Sequence, residues 1–185
     1  MSVAVSARLT AEQFAKRYVN VPFCELERGE VQRLSPGGLS HSRPSLNAAF
    51  LLESWARRTK RGRVFANEAG LITERDPDTV RGADGAYFSY DRLPKRRRPA
   101  GFSSIPPELV VEVVGKGQGW KKMVEKAGEY FAMGVDRVWI LDPKARTLQV
   151  FEPEREPRTL RENQVIHDDV VLPGFSCKVA KFFED

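Results

Sequence analysis

Glu108-Leu-Val-Val-Glu-Val-Val114, Gly115-Lys-Gly-Gln-Gly119, Trp120-Lys-Lys-Met-Val-Glu-Lys-Ala-Gly-Glu-Tyr-Phe-Ala-Met133 and, past Gly134, Arg137-Val-Trp-Ile-Leu141 decide the fold. The first run is almost unbroken in aliphatic residues, as in a strand buried on both faces. A loop follows. Met123, Ala127 and Tyr130 then recur at helical spacing, which predicts a helix with one face against a core, stopped by Gly134. Arg137 to Leu141 is a second buried-type strand, ended by Asp142-Pro143. Strand, helix and strand in this order make a crossover unit, so the two strands are expected to be parallel neighbours.

Outward from this unit, Thr147 to Phe151 is expected to return as a hairpin across the turn at Asp142 to Arg146. The tail from Asp169 to Phe183 reads as a short strand, a Pro-Gly turn and a small terminal helix. Upstream, strands are expected at Gly62 to Asn67, at Leu71 to Thr73 and near Gly82 to Ser89. Arg92 to Ser104, with Pro94, Pro99 and Gly101, reads as a charged loop. Ser42 to Arg58 is helical, with Leu46, Ala49, Phe50, Leu52, Glu53 and Trp55 along its stripe. Thr10 and Gln13 form a capping-box pattern that starts a short helix before Pro22. Phe23 to Leu34 reads as a β-hairpin turning at Arg28-Gly29. The whole is a mixed sheet flanked by helices, α/β or α+β.

Composition narrows the function classes. The chain has 185 residues, 41% of them hydrophobic, and a net charge of +5. That length fits one domain, and the basic balance suits a polyanionic partner. No apolar run approaches the roughly 20 residues that span a bilayer, and Met1 to Leu9 carries no secretory pattern; a soluble, cytoplasmic protein with no membrane partner is expected. Cys24 and Cys177 lie too far apart for a CxxC or zinc spacing and read as small buried hydrophobes. With only His41 and His167 as histidines, a metal would be held by carboxylates and carbonyls, which favours Mg²⁺ or Mn²⁺.

Three residues stand out. Glu112 interrupts the apolar strand, where an unpaired carboxylate is costly enough to neutralise; it needs a cation, or else a place on a polar face or beside one arginine. Lys126 lies between Met123 and Tyr130 and so on or beside the buried helix face; its alternative is to snorkel. Asp84, within Arg81-Gly-Ala-Asp-Gly-Ala-Tyr-Phe88, is placed where the chain enters a strand, as many turn aspartates are. Together they can converge over one sheet edge. Two carboxylates and the Val113 carbonyl make a Mg²⁺ site, where a metal polarises a phosphoryl oxygen and acidifies water. A nearby ammonium offsets developing charge. Those are the needs of phosphodiester hydrolysis. Lys95-Arg-Arg-Arg98 either guides a phosphate backbone or is a solvated charged loop. Tyr87, Phe88 and Tyr90 are read as packing before base stacking, and Trp139 as core.

Ile105 to Val114, Val124 to Tyr130, Gly134 to Pro143 and Thr147 to Phe151 resemble the Uma-type restriction endonuclease family of the PD-(D/E)XK nuclease superfamily. So do Glu25 to Glu30, Ser35-Pro36, His41 and Val171-Leu-Pro-Gly-Phe175, so the resemblance spans roughly residues 10 to 183. It implies a restriction endonuclease-like domain over residues 1–185: an N-terminal helix and hairpin at 8–36, a catalytic core at 42–152, and a C-terminal strand and helix at 153–185. It implies a Mg²⁺-dependent endonuclease acting on DNA, with Asp84 as the aspartate of the PD element and Glu112 as the (D/E). The usual lysine position is Val114 here, and Lys126 matches a lysine moved to the helix. Glu25 matches a further ligand or orienting group, and a homodimer is a reasonable expectation. Lys95, Arg96, Arg97, Arg98 and Lys116 are the expected nucleic-acid contacts. Two departures stand: Ala83 replaces the proline, and Gly115-Lys116 replaces the Ser-Pro after the (D/E) strand, where Lys116 is an alternative to Lys126. They leave open a catalytically weak module that binds nucleic acid or a protein partner, or a structural domain whose charges pair internally.

Overall fold

In the computed structural model, which describes residues 8–18, 20–117 and 119–185, the chain order is helix α1 (Ala11–Tyr18), β1 (Cys24–Glu27), β2 (Glu30–Arg33), α2 (Leu39–Thr59), β3 (Gly62–Glu74), β4 (Thr79–Ser89), β5 (Leu109–Val113), α3 (Trp120–Met133), β6 (Arg137–Asp142), β7 (Thr147–Phe151), β8 (Arg158–Arg161), β9 (Val165–His167), β10 (Ser176–Lys178) and a closing 3₁₀ turn at Val179–Phe182. The segment read for a secretory signal lies outside the described residues up to residue 7, as do Val19 and Gln118. No helix among the described residues is long and apolar enough to cross a membrane.

The crossover unit forms as its pattern demands. β5 and β6 pair in parallel, Leu109 opposite Arg137 through Val113 opposite Leu141, and β7 returns antiparallel to β6. Gly134 ends α3 in the left-handed region at φ 103, where its N–H reaches the last carbonyls of the helix. The main sheet runs β2-β1-β4-β5-β6-β7-β8, with β3 on the other edge of β4. All five β5 residues are buried. Leu109, Val111 and Val113 enter the core under α2 and the C-terminal segment, while Val110 enters the core under α3. Strand alternation therefore turns Glu112 toward α3.

Several expectations are corrected. The two segments from Gly62 to Thr73 form one strand, interrupted by a bulge between Ala66 and Ala69 where Asn67 and Glu68 adopt φ 62 and 61. β4 begins at Thr79, so Asp84 is mid-strand, not at a strand entry. On α2 the buried face is Pro44, Ala48, Leu52, Trp55 and Ala56. The expected stripe fails at Leu46 and Phe50, which are 59% and 67% exposed; small Ala48 and Ala56 let the helix close on the sheet, and Trp55 Nε1 donates to the Pro173 carbonyl. In the tail the strand expected before Pro173-Gly174 does not form: residues 169–172 are turn, and the strand comes after them as β10, paired with β9. Cys24 and Cys177 are unpaired and half-buried, not fully buried. The N-terminal capping box forms as read: Thr10 Oγ1 accepts from the Gln13 amide and Gln13 Oε1 from the Thr10 amide.

Candidate active site

One edge of β4 serves two strands. Near its start Val80 is opposite Leu26 of β1, and from Gly85 onward it pairs with Val111 of β5. Between them the ladder opens, and carboxylates take the freed amides. Glu25 Oε1 accepts from the Gly82 N–H at 3.1 Å, and Asp84 Oδ2 accepts from the Val113 N–H at 2.7 Å. Extending the Gly85–Val111 register by one pair sets Asp84 opposite Glu112. Two carboxylates facing each other across neighbouring strands repel, yet both are largely buried, at 9% and 4% exposure.

Lys126 answers part of this charge. α3 carries it inward beside Met123 and Tyr130, and its Nζ lies 3.0 Å from Glu25 Oε1 and 3.4 Å from Glu112 Oε2. Tyr130 donates its hydroxyl to Glu112 Oε1 at 2.5 Å. Burial and the Asp84 charge push the Glu112 carboxyl up to about 7, against the pull of Lys126 and Tyr130. Burial alone would lower the Lys126 pKa, but Glu112 and Glu25 raise it above the usual lysine value, so it stays an ammonium. Glu25 is held below the usual carboxylate range despite its burial, by Lys126, Arg81 and the Gly82 amide. Arg81 in turn binds Glu25, Glu27 and Glu129.

The structure thus brings Glu25, Asp84, Glu112, Val113 and Lys126 to one cleft of about 570 Å³, with Lys116 on its wall. Lys95 to Arg98 do not line it. That run lies at the far end of β3, where the Arg63 guanidinium holds the Pro94 and Arg97 carbonyls. Tyr87 and Phe88 are buried, Tyr87 edge-on to Trp55 and Phe88 to Phe65, so packing accounts for them.

Three residues join the site without having been singled out for it. His41, in the first turn of α2, sets Nε2 3.3 Å from Asp84 Oδ2, and that contact, outweighing burial, raises its pKa. Tyr130 reads as core in the sequence and is also the Glu112 partner. Glu68 reaches the cleft because the bulge turns it there, and a Cβ on Gly82 would fall 2.3 Å from Glu68 Oε2. Although the residue is exposed, desolvation of its carboxyl by the atoms around it and the Asp84 and Glu25 charges raise its pKa. Asn67, a residue that tolerates the left-handed region, and the glycine at 82 are the sequence signals of this approach.

The donor set fits a hard cation. Among the described residues no three acidic, histidine or cysteine side chains converge as a ready ligand group. Mg²⁺, however, is commonly held by one or two carboxylates with water and substrate phosphate. Asp84 Oδ1 has no hydrogen bond among the described residues. A strand residue points its N–H and C=O to the same edge, so the Val113 carbonyl faces the same opening as the amide that binds Asp84. On the buried floor, Glu25, Asp84 and Glu112 face only Lys126 and, behind Glu25, Arg81, and a divalent cation would offset the carboxylate left over.

A mixed sheet with helices on both faces, opening a carboxylate-and-lysine cleft at the fork of two strands, has a restriction endonuclease-like architecture. The chain belongs to the Uma2 family, described as "Putative restriction endonuclease", which it matches over residues 11–180. It is similar to the crystal structure of a "putative nuclease belonging to DUF820" from Anabaena variabilis ATCC 29413, at 18% identity and a TM-score of 0.81, over 95% of this chain and 97% of that one. At that identity the likeness speaks for the fold alone. No curated protein matches the chain.

Proposed function

We propose that this chain is a single-domain, Mg²⁺- or Mn²⁺-dependent endonuclease that hydrolyses phosphodiester bonds of DNA. The observation that carries the proposal is the placement of Asp84 against Glu112 across β4 and β5, both buried, with the Lys126 ammonium beside them. Family membership supports the nuclease class.

Asp84, Glu112 and the Val113 carbonyl are the groups that would hold the metal. When bound, the metal would polarise a phosphoryl oxygen and lower the pKa of its water. Lys126 orients the attacking water and offsets charge developing on the phosphoryl oxygens. Glu25 holds that ammonium in place with one oxygen while Arg81 fixes the other. Tyr130 fixes the rotamer of Glu112. His41 orients Asp84 from the opposite side of the cleft to α3.

The test is supercoiled plasmid incubated with Mg²⁺ or Mn²⁺ and the wild-type, Glu112→Gln or Lys126→Ala protein. Nicking is expected with wild type and metal, and is expected to vanish with either substitution. Folded wild-type protein that shifts DNA on a gel but never cleaves it would replace this proposal with a binding module.

A further inference from the structure

Two grooves share the acidic floor and differ in chemistry. The first is the cleft already described, whose rim carries Arg33, Lys116 and Lys122. None of the three has an acidic partner among the described residues. The N-termini of α2 and α3 flank the same cleft, begin at Gly38 and Gly119 without side-chain caps, and have no acidic residue in their first turns. The rim is thus positive where the floor is negative, so the phosphates of a backbone would lie along the rim, and one would face the floor only across a divalent cation held there.

The second groove, of about 400 Å³, shares Asp84, His41 and Glu68 with the first, but its wall includes Phe23, Leu46, Ala49 and Ala66. Phe23 is 41% exposed and Leu46 59% exposed. Phe23 also sits at φ 56, a backbone conformation that side chains other than glycine's rarely adopt. An aromatic held in solvent at the lip of a largely apolar groove, beside a carboxylate that would face a phosphate across a bound cation, has the makings of a stacking platform.

Resting on the nuclease reading of Asp84 and Glu112, we infer that the substrate strand is unpaired at the reacting position, with its phosphates along Arg33, Lys116 and Lys122 and a nucleobase in the groove against Phe23. A base is tied to its phosphate by one sugar. A base next to a phosphate over Asp84 can enter the adjoining groove only if it has left the duplex stack, which costs least in a strand that is already unpaired. Stacking on an aromatic side chain accepts any base, because every base has a π-face. The inference therefore names a strand state and no sequence.

The test measures binding without cleavage, by fluorescence anisotropy, with Ca²⁺ in place of Mg²⁺ so that the carboxylates are occupied by a hard cation. The probes are a short oligothymidylate, an abasic deoxyribose-phosphate strand of equal length, and a duplex of that length. Wild type is expected to bind oligothymidylate about tenfold more tightly than the abasic strand, the scale of one base stacked on an aromatic ring. Phe23→Ala is expected to remove that difference while leaving abasic-strand binding unchanged. Both Phe23 and Leu46 are exposed, so Leu46→Ser serves as a second variant with little risk to folding, and melting temperatures check both proteins. Equal binding of the two strands by wild type, or tighter binding of the duplex, overturns the inference. So does a wild-type dimer that Phe23→Ala dissolves without changing oligothymidylate affinity, since the groove then belongs to a second copy. Plasmid nicking is measured in parallel: cleavage with no base-dependent binding sinks this inference alone, while absence of both sinks the nuclease reading with it.

Discussion

Glu25 and Lys126, 101 residues apart in sequence, share a buried ion pair at 3.0 Å. The other contacts of Glu25 decide its role. Oε1 also takes the Gly82 amide and Oε2 takes Arg81, so Glu25 already accepts from three donors, whereas Glu112 accepts from two, one of them Lys126 at 3.4 Å. Glu25 is therefore better suited to positioning Lys126 than to ligating a metal. Glu25→Gln is expected to lower kcat on the order of 10²-fold, the cost of a misplaced reacting group, while Mn²⁺ affinity measured by titration calorimetry stays within about twofold. A loss of Mn²⁺ binding equal to that of Asp84→Asn would make Glu25 a ligand after all.

Asp84 and Glu112 work against folding where they would work for metal binding. Asn at position 84 keeps an acceptor for the Val113 amide and removes one of the two facing charges. In EDTA, Asp84→Asn is expected to melt at or above the wild-type temperature. A gain of 1 kcal/mol would raise the midpoint of a chain this size by about 2–4 °C. With Mg²⁺ present the order should reverse, because only wild type gains stability by binding. Differential scanning fluorimetry with and without Mg²⁺ reads both signs, and a variant destabilised in EDTA would show that the Asp84 contact with His41 outweighs the repulsion.

A separate acidic group sets a pH limit on stability. Asp78 Oδ2 accepts from the Ala11 amide at 2.7 Å and from Arg75 at 2.9 Å, tying α1 to the sheet. Although burial opposes it, the backbone amides of Ala11 and Asp76, together with Arg75, hold its pKa below the usual aspartate value. The unfolded chain therefore binds this proton more readily, so stability rises with pH through the window between the two values. The stabilisation is complete above the unfolded pKa of about 3.9 and is lost as pH falls through the lower folded value. The melting-temperature gap between wild type and Asp78→Asn is expected to be constant at neutral pH and to close below about pH 4. A gap that persists unchanged into strong acid would show that the carboxylate charge has no part in it.

Glu112 and Lys126 are legible in the sequence because each breaks an apolar pattern whose period is unambiguous, a strand in one case and a helix face in the other. Asp84 is legible only in company, since an aspartate between two glycine-alanine pairs has no pattern to violate. Glu68 is hidden: Asn67-Glu68 looks like a strand end, and only the pairing of Ala66 with Gly85 and Ala69 with Ala83 shows a bulge within one strand. Tyr130 satisfies the helix stripe so well that nothing in the pattern points to its hydroxyl. The misplaced face of α2 has a simpler cause. Its sequence carries two apolar stripes, and tertiary packing, which buries the one with Trp55 between small residues, leaves Leu46 and Phe50 outside.

The two basic groups are expected to differ in what they do to DNA. Lys95 to Arg98 lie past the end of β4 beside Arg63, which pairs with Phe88. From Phe88 to Asp84 is four residues of strand, on the order of 13 Å, so the run can touch a backbone only well away from a phosphate over Asp84. Lys116 and Lys122 line the cleft itself. Replacing Lys95, Arg96, Arg97 and Arg98 with glutamine is expected to flatten the salt dependence of DNA binding, by about one unit of log–log slope for each phosphate left without its cation, with kcat unchanged at saturating DNA. Replacing Lys116 and Lys122 is expected to lower kcat as well, because a strand held loosely at the rim presents its phosphate to Lys126 less often in the reactive geometry. Binding measured across a salt series, paired with single-turnover cleavage, separates the two groups. A lower kcat in the loop variant, with the cleft variant unaffected, would place the substrate path along β3 and away from the rim.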